Sequence, residues 1–230
     1  GKPATLVTCL SGKSVDHPNA AQCHAIGKFS AQAHLAVADF AGNTPNPRGL
    51  AWIEKAMNEL DDHLPDAVCK LLHDEVSHQK TVAAGNAYKT LPKGAVHADL
   101  FRDNALMQGD TLGGVIDFYF AGVDTYLFDL AVTANDWCIN LDSGEFKDNL
   151  LDALLNGYQE VRPLTIHECE LWQDMLRAAA LRCAQQPCRA LGSPPRRRPQ
   201  PPRVRFPAGL HARGRVRADG RRGRPGRARR

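Results

Sequence analysis

One stretch constrains the chain more than any other. It is Val96-His97-Ala98-Asp99-Leu100-Phe101-Arg102-Asp103-Asn104, followed by Ile116-Asp117-Phe118. Asp99 and Asn104 are five apart, and Asp117 stands thirteen beyond Asn104. Between them lie a turn signal, Gln108-Gly109-Asp110, and an apolar run opened by glycines, Leu112 to Phe118. That pattern predicts a hairpin whose second strand carries Asp117 at its end. A carboxylate at the first position can orient an attacking hydroxyl. An amide oxygen and a second carboxylate, brought beside it by the hairpin, are hard ligands for Mg²⁺ on nucleotide phosphates. Phosphoryl transfer asks a protein for this division of labour. Asp99, Asp103 and Asn104 are also ordinary turn formers, and an isolated HxD recurs by chance. The two-part spacing around a hairpin favours the chemical reading.

Charge divides the chain in two. Residues 189 to 230 hold fifteen Arg, no Lys and one acid, Asp219, a net +14; the rest therefore carries −10 of the overall +4. The body reads as an acidic domain, and the basicity belongs to the tail. Rich in Arg, Pro, Gly and Ala, that tail lacks the apolar surface to fold and is expected to be disordered over 183–230. An arginine-rich segment can bind nucleic acid. With Phe206 its lone aromatic and no repeat, the composition instead suggests a GC-rich gene read in a shifted frame. No apolar run approaches a membrane span, and GKPATLVTCL has no basic n-region or cleavage site. Seven cysteines stand singly, without a CxxC pair, which fits reduced thiols and a cytoplasmic location.

The remaining pattern is mostly helical. Residues 2–10 predict a strand, and Asn19 caps a helix from Ala20 to about Leu35 with Ile26, Phe29 and Ala33 on its apolar face. His24 and His34 read as ordinary helical histidines. Leu50 to Ala84 predicts two helices broken near Leu64-Pro65-Asp66. Their stripes are Trp52, Ile53, Ala56, Met57 and Leu60, then Val68, Leu71, Leu72 and Val76. Further helices are expected over Tyr126 to Cys138, Glu145 to Gln159 and Thr165 to Arg182, the last opened by a Thr165/Glu168 capping box. Asp129 is either a first-turn acid or, better given its place after the motif, a brace for the loop.

At Asp99, Asn104 and Asp117 the sequence resembles the aminoglycoside phosphotransferase-like kinases, a small-molecule branch of the protein-kinase fold. Residues 96 to 138, with Ile-Asp-Phe-Tyr-Phe-Ala and a later Asn-Asp-Trp-Cys, are similar to the bacterial homoserine kinases of that superfamily. The resemblance extends weakly from Leu6 to about Arg182. It implies an α+β chain: a kinase-like C-terminal lobe over 14–182, mostly helical with a small hairpin carrying the metal site. Residues 1–13 would be the last strand of an N-terminal lobe and the hinge. By position, Asp99 would be the catalytic base, Asn104 and Asp117 the Mg²⁺ ligands, and His97 and Asp129 supports of the loop. Val7, Thr8 and Cys9 would line the adenine. Tyr119 and Asp124 are guesses for substrate contact.

The implied reaction is ATP-dependent phosphorylation of L-homoserine, with Mg²⁺, on the route to threonine. Rival readings are a kinase for choline, an aminoglycoside or a sugar, a nucleic-acid-binding protein driven by its tail, and a non-catalytic kinase relative. The phosphate-covering loop and lysine of such enzymes have no candidate here, so the chain as it stands is expected to turn over little or no substrate.

Overall fold

A computed structural model describes residues 8–140 and 143–191, with side chains described as far as Arg182. Eight helices and four short strands are present among them. The helices are α1 (Ala20–Ala36), α2 (Leu50–Asn58), α3 (Asp66–Ala84), α4 (Asn86–Lys89), α5 (Tyr126–Trp137), α6 (Asp148–Val161), α7 (Ile166–Glu170) and α8 (Trp172–Leu191). Strand β1 (Lys93–Val96) pairs antiparallel with β4 (Gly122–Thr125), and β2 (Ala105–Gln108) with β3 (Thr111–Val115). None of the described helices is long and apolar enough to cross a membrane.

The local signals act where expected. Asn19 accepts the Gln22 N–H, and the Gln22 side chain returns to the Asn19 N–H, closing the α1 cap. Thr165 and Glu168 do the same for α7. The break at Pro65 separates α2 from α3.

Four expectations need correction. The strand predicted over 2–10 is absent from 8–10; farther along, the segment meets the hairpin through paired hydrogen bonds between Lys13 and Met107. Strand β3 stops at Val115, and Asp117 follows in the left-handed region at φ 62°. The Thr165–Arg182 helix is two helices that meet at Leu171, the second running on to Leu191. Leu71 is 48% exposed, whereas Leu72 and Val76 are buried.

Most of the apolar core lies where α1, α5, α6 and α8 meet, with Ile26, Leu130, Leu154 and Leu176 fully or nearly fully buried. A satellite core joins Ile53 and Met57 of α2 to Leu72 and Val76 of α3 and Leu181 of α8. The inward face of α1 runs through Cys23, Ile26, Gly27, Ser30 and His34; of the expected face Ile26 is fully buried, whereas Phe29 and Ala33 are only partly so. A small residue stands on this face at Gly27 because α6 comes very close there. A Cβ on Gly27 would stand 2.0 Å from the Leu154 carbonyl oxygen, and one on Gly157 would stand 2.1 Å from that of His24. Neither position has room for a side chain.

Candidate active site

The 97–104 loop lies along one face of α5. Asp129, Asp136 and Trp137 recur at the seven- and eight-residue spacing that puts side chains on a common helical face. Each takes a different part of the loop. Asp129 Oδ1 accepts the Ala98 N–H at 2.6 Å. Trp137 Nε1 donates to the Leu100 carbonyl at 3.1 Å. Asp136 Oδ2 accepts both the Arg102 N–H at 2.7 Å and its Nε at 3.0 Å. So fixed, the loop holds Ala98 at φ 60°. Non-glycine residues in the left-handed region are uncommon and persist where neighbours over-determine them, often at functional sites. Ala98 and Asp117 are the only two such residues among those described, and they flank the proposed chemistry on either side.

His97 connects the two halves of the motif. Its Nδ1 accepts the Asp99 N–H at 3.2 Å, and its Nε2 lies 3.0 Å from the Ile116 carbonyl. This pattern assigns the tautomer with the proton on Nε2. Asn104 completes the link. Its Nδ2 donates to the Asp99 carbonyl at 2.8 Å, and its own carbonyl accepts the Ile116 N–H at 2.9 Å. With the amide nitrogen spent in this way, the amide oxygen is the atom of Asn104 that can ligate a cation. Asp117 follows Ile116 directly, and its Oδ1 accepts the Tyr119 N–H at 3.4 Å.

Among the described residues the Asp99 carboxylate has one side-chain partner. Arg182 of α8 donates from Nη2 to Asp99 Oδ1 at 2.5 Å, with its guanidinium carbon 5.2 Å from the Phe101 ring centroid. Both side chains are buried. Nothing in the sequence near Arg182 signals this contact, which spans 83 positions.

Asp129 belongs to a longer buried chain. Its Oδ2 bonds His34 Nε2 at 2.8 Å, and His34 Nδ1 meets the Tyr158 hydroxyl at 2.9 Å. Arg162 donates to the same hydroxyl at 3.1 Å and to Glu168 at 2.9 Å. Burial raises the Asp129 carboxyl, but the hydrogen bond and charge of His34 and the Ala98 N–H outweigh it, so it lies below the usual carboxylate range. Thus His34, read from sequence as an ordinary helical histidine, is a buried member of the loop's support.

The other expected residues divide. Thr8 and Cys9 are exposed; Val7 and the tail from residue 192 lie outside the described residues. The segment after Cys9 rests on the hairpin: Leu10 packs on Gly114, and a Cβ on Gly113 would stand 2.0 Å from the Ser11 carbonyl oxygen. Tyr119 is 84% exposed. Both oxygens of Asp124 are engaged, one by Asn46 Nδ2 at 2.8 Å and the other by the Thr125 N–H at 2.7 Å. Among the described residues no hydrogen bond joins Tyr119 or Asp124 to the 97–104 loop. Burial holds the Asp124 carboxyl above the usual range despite these bonds. Beside Asp124 an open cleft runs between Leu50, Ile53, Tyr88, Met175 and Leu181.

Residues 1–164 match the phosphotransferase enzyme family. Among curated relatives, the homoserine kinase of Cupriavidus taiwanensis is 49% identical over 187 residues, covering 79% of this chain and 56% of its own length. That of Janthinobacterium sp. is 45% identical over 182 residues with the same coverage. The chain thus spans about half the length of the curated relatives it matches. Of solved structures, the amicoumacin kinase hAmiN superposes with a TM-score of 0.60 at 16% identity, over 78% of this chain and 55% of that one. An aminoglycoside phosphotransferase from Alicyclobacillus acidocaldarius gives 0.56 at 18% identity, over 79% and 59%. At such identities the structural likeness is one of fold.

Proposed function

Since the chain belongs to the phosphotransferase enzyme family, we propose that its site serves transfer of the γ-phosphate of ATP to the side-chain hydroxyl of L-homoserine. The observation that carries the reading is the join made by His97 and Asn104, which hold the Asp99 loop against the Ile116–Asp117 turn. The relatives that are 45–49% identical, named homoserine kinases, supply the substrate.

In this reading Asp99 orients the homoserine hydroxyl and accepts its proton. The hydroxyl oxygen forms a bond to the γ-phosphorus as the bond to the β,γ-bridging oxygen breaks, and ADP leaves. Asn104 and Asp117 would hold Mg²⁺; both offer the oxygen donors that a hard cation takes beside nucleotide phosphates. When bound, the ion neutralises charge on those phosphates. His97 and Asp129 keep the loop in its left-handed turn at Ala98, so Asp99 needs no rearrangement as the reaction proceeds. The segment of Thr8 and Cys9, which leads onto the hairpin, would face the adenine.

Calorimetric titration of the chain with L-homoserine in the presence of MgADP tests the substrate, with choline and an aminoglycoside alongside. Homoserine is expected to bind, and a preference for choline or the aminoglycoside would overturn the reading. In a coupled ADP-release assay, Asp99→Asn is expected to cut any homoserine-dependent turnover by roughly 10²- to 10⁴-fold. Unchanged turnover would remove Asp99 from the base role.

A further inference from the structure

Two arginines are buried among the described residues, and they are satisfied to very different degrees. Arg162 places one nitrogen on Tyr158 and another on Glu168. Arg182 is 1% exposed and donates only from Nη2, to Asp99. Its Nε and Nη1 are buried without a hydrogen-bond partner among the described residues. A guanidinium offers five N–H donors, and leaving them dry and unmet is costly. Such a group beside a candidate base is explained if an anionic ligand completes it.

We infer that Arg182 takes the substrate's α-carboxylate and so selects an amino-acid alcohol over a simple alcohol. This rests on the homoserine reading above and names a residue that reads the substrate. The guanidinium already touches Asp99 Oδ1, so a carboxylate on either of its unmet nitrogens, Nε or Nη1, sits about one guanidinium width from the oxygens that orient the hydroxyl. In extended homoserine the hydroxyl oxygen and carboxylate carbon are about 5 Å apart by ordinary bond lengths. The same cation repels choline, whose quaternary ammonium would stand where the carboxylate belongs. Selectivity thus comes from repulsion as well as attraction. The Phe101 ring below the guanidinium fixes its plane.

The test compares dissociation constants of L-homoserine and L-homoserinol, in which a CH₂OH replaces the carboxylate. Both are measured by calorimetry on the full chain with MgADP. The parent is expected to prefer homoserine by roughly tenfold to a hundredfold, as for hydrogen bonds to a charged group. Arg182→Gln should bring that preference close to unity by weakening homoserine alone, and Arg182→Lys should retain part of it. A structural role would weaken both ligands together. An unchanged preference in folded Arg182→Gln overturns the assignment while the homoserine reading stands. Should that variant not fold, an unchanged preference in Arg182→Lys overturns it equally. If the parent binds no homoserine, the homoserine reading falls and the assignment falls with it.

Discussion

Asp99 and Asp129 are both buried carboxylates, each paired with one side chain from a distant helix and each bonded into the same loop. Around Asp129 the polar groups close on one another. Ala98, Asp129, His34, Tyr158, Arg162 and Glu168 form a chain in which each member meets the next. Around Asp99 the pairing stops at Arg182, which has two nitrogens unmet. A buried polar network that is fully satisfied rigidifies a structure, and one that is half-satisfied costs stability. The Asp129 network is therefore scaffold, and the Asp99 pair has the incompleteness of a place where ligands bind.

That contrast is easiest to break at Asp129. Asp129→Ala strands the Ala98 N–H and the His34 imidazole, and is expected to lower unfolding free energy in urea by about 3–5 kcal/mol, as for a broken buried pair. A loss below about 1 kcal/mol would mean that the network contributes little and that the loop is held by other contacts.

Removing both partners sharpens the comparison. Asp99→Leu with Arg182→Met exchanges a half-satisfied ion pair for apolar groups, and is expected to be neutral or stabilising by up to about 1–4 kcal/mol. Asp129→Leu with His34→Met cannot recover in the same way, because the Ala98 N–H and the Tyr158 hydroxyl still lose their partners. It should remain destabilised by about 1–3 kcal/mol per stranded group. Equal outcomes for the two double variants would erase the distinction between scaffold and site.

The smallest expected effect is in pH dependence, and here Asp129 and Asp124 have opposite signs. The folded pKa of Asp129 lies below its unfolded value. Its contribution is thus present above the ordinary carboxylate pKa and is lost as pH falls through the depressed folded value. The folded pKa of Asp124 is raised. Its contribution is greatest below the unfolded pKa and declines as pH rises through the folded value. Asp129→Asn should flatten the acid limb of the stability curve, and Asp124→Asn should gain on the parent from acid to neutral pH. Denaturant midpoints between pH 3 and 7 check both, and curves that shift in the same direction would contradict these environments.

Much of this organisation was legible in the sequence. The five-residue spacing of Asp99 and Asn104, the hairpin and the caps at Asn19 and Thr165 are short-range patterns. They act through backbone geometry within one turn or one strand, so residue order suffices to read them. The inward face of α1 was read correctly at Ile26 but incompletely, because apolarity was the guide, whereas close packing on α6 requires a glycine at Gly27. The end of β3 was misread because nothing in LGGVIDF marks the left-handed turn at Asp117.

The partners of the buried charges were decided only by the tertiary structure. His34 meets Asp129 across 95 positions, and Arg182 meets Asp99 across 83. In sequence each is one polar residue on a helix with no local partner. Which of them becomes a ligand, a brace or a surface group depends on which helix faces the core brings together. The sequence by itself determined the chemistry-bearing loop and the helices that frame it, through local periodicity and capping. Packing of α1, α5, α6 and α8 around the core then decided which carboxylate is enclosed by a closed chain of protein partners, Asp129, and which stands beside unmet donors, Asp99, because burial makes every unmet donor costly.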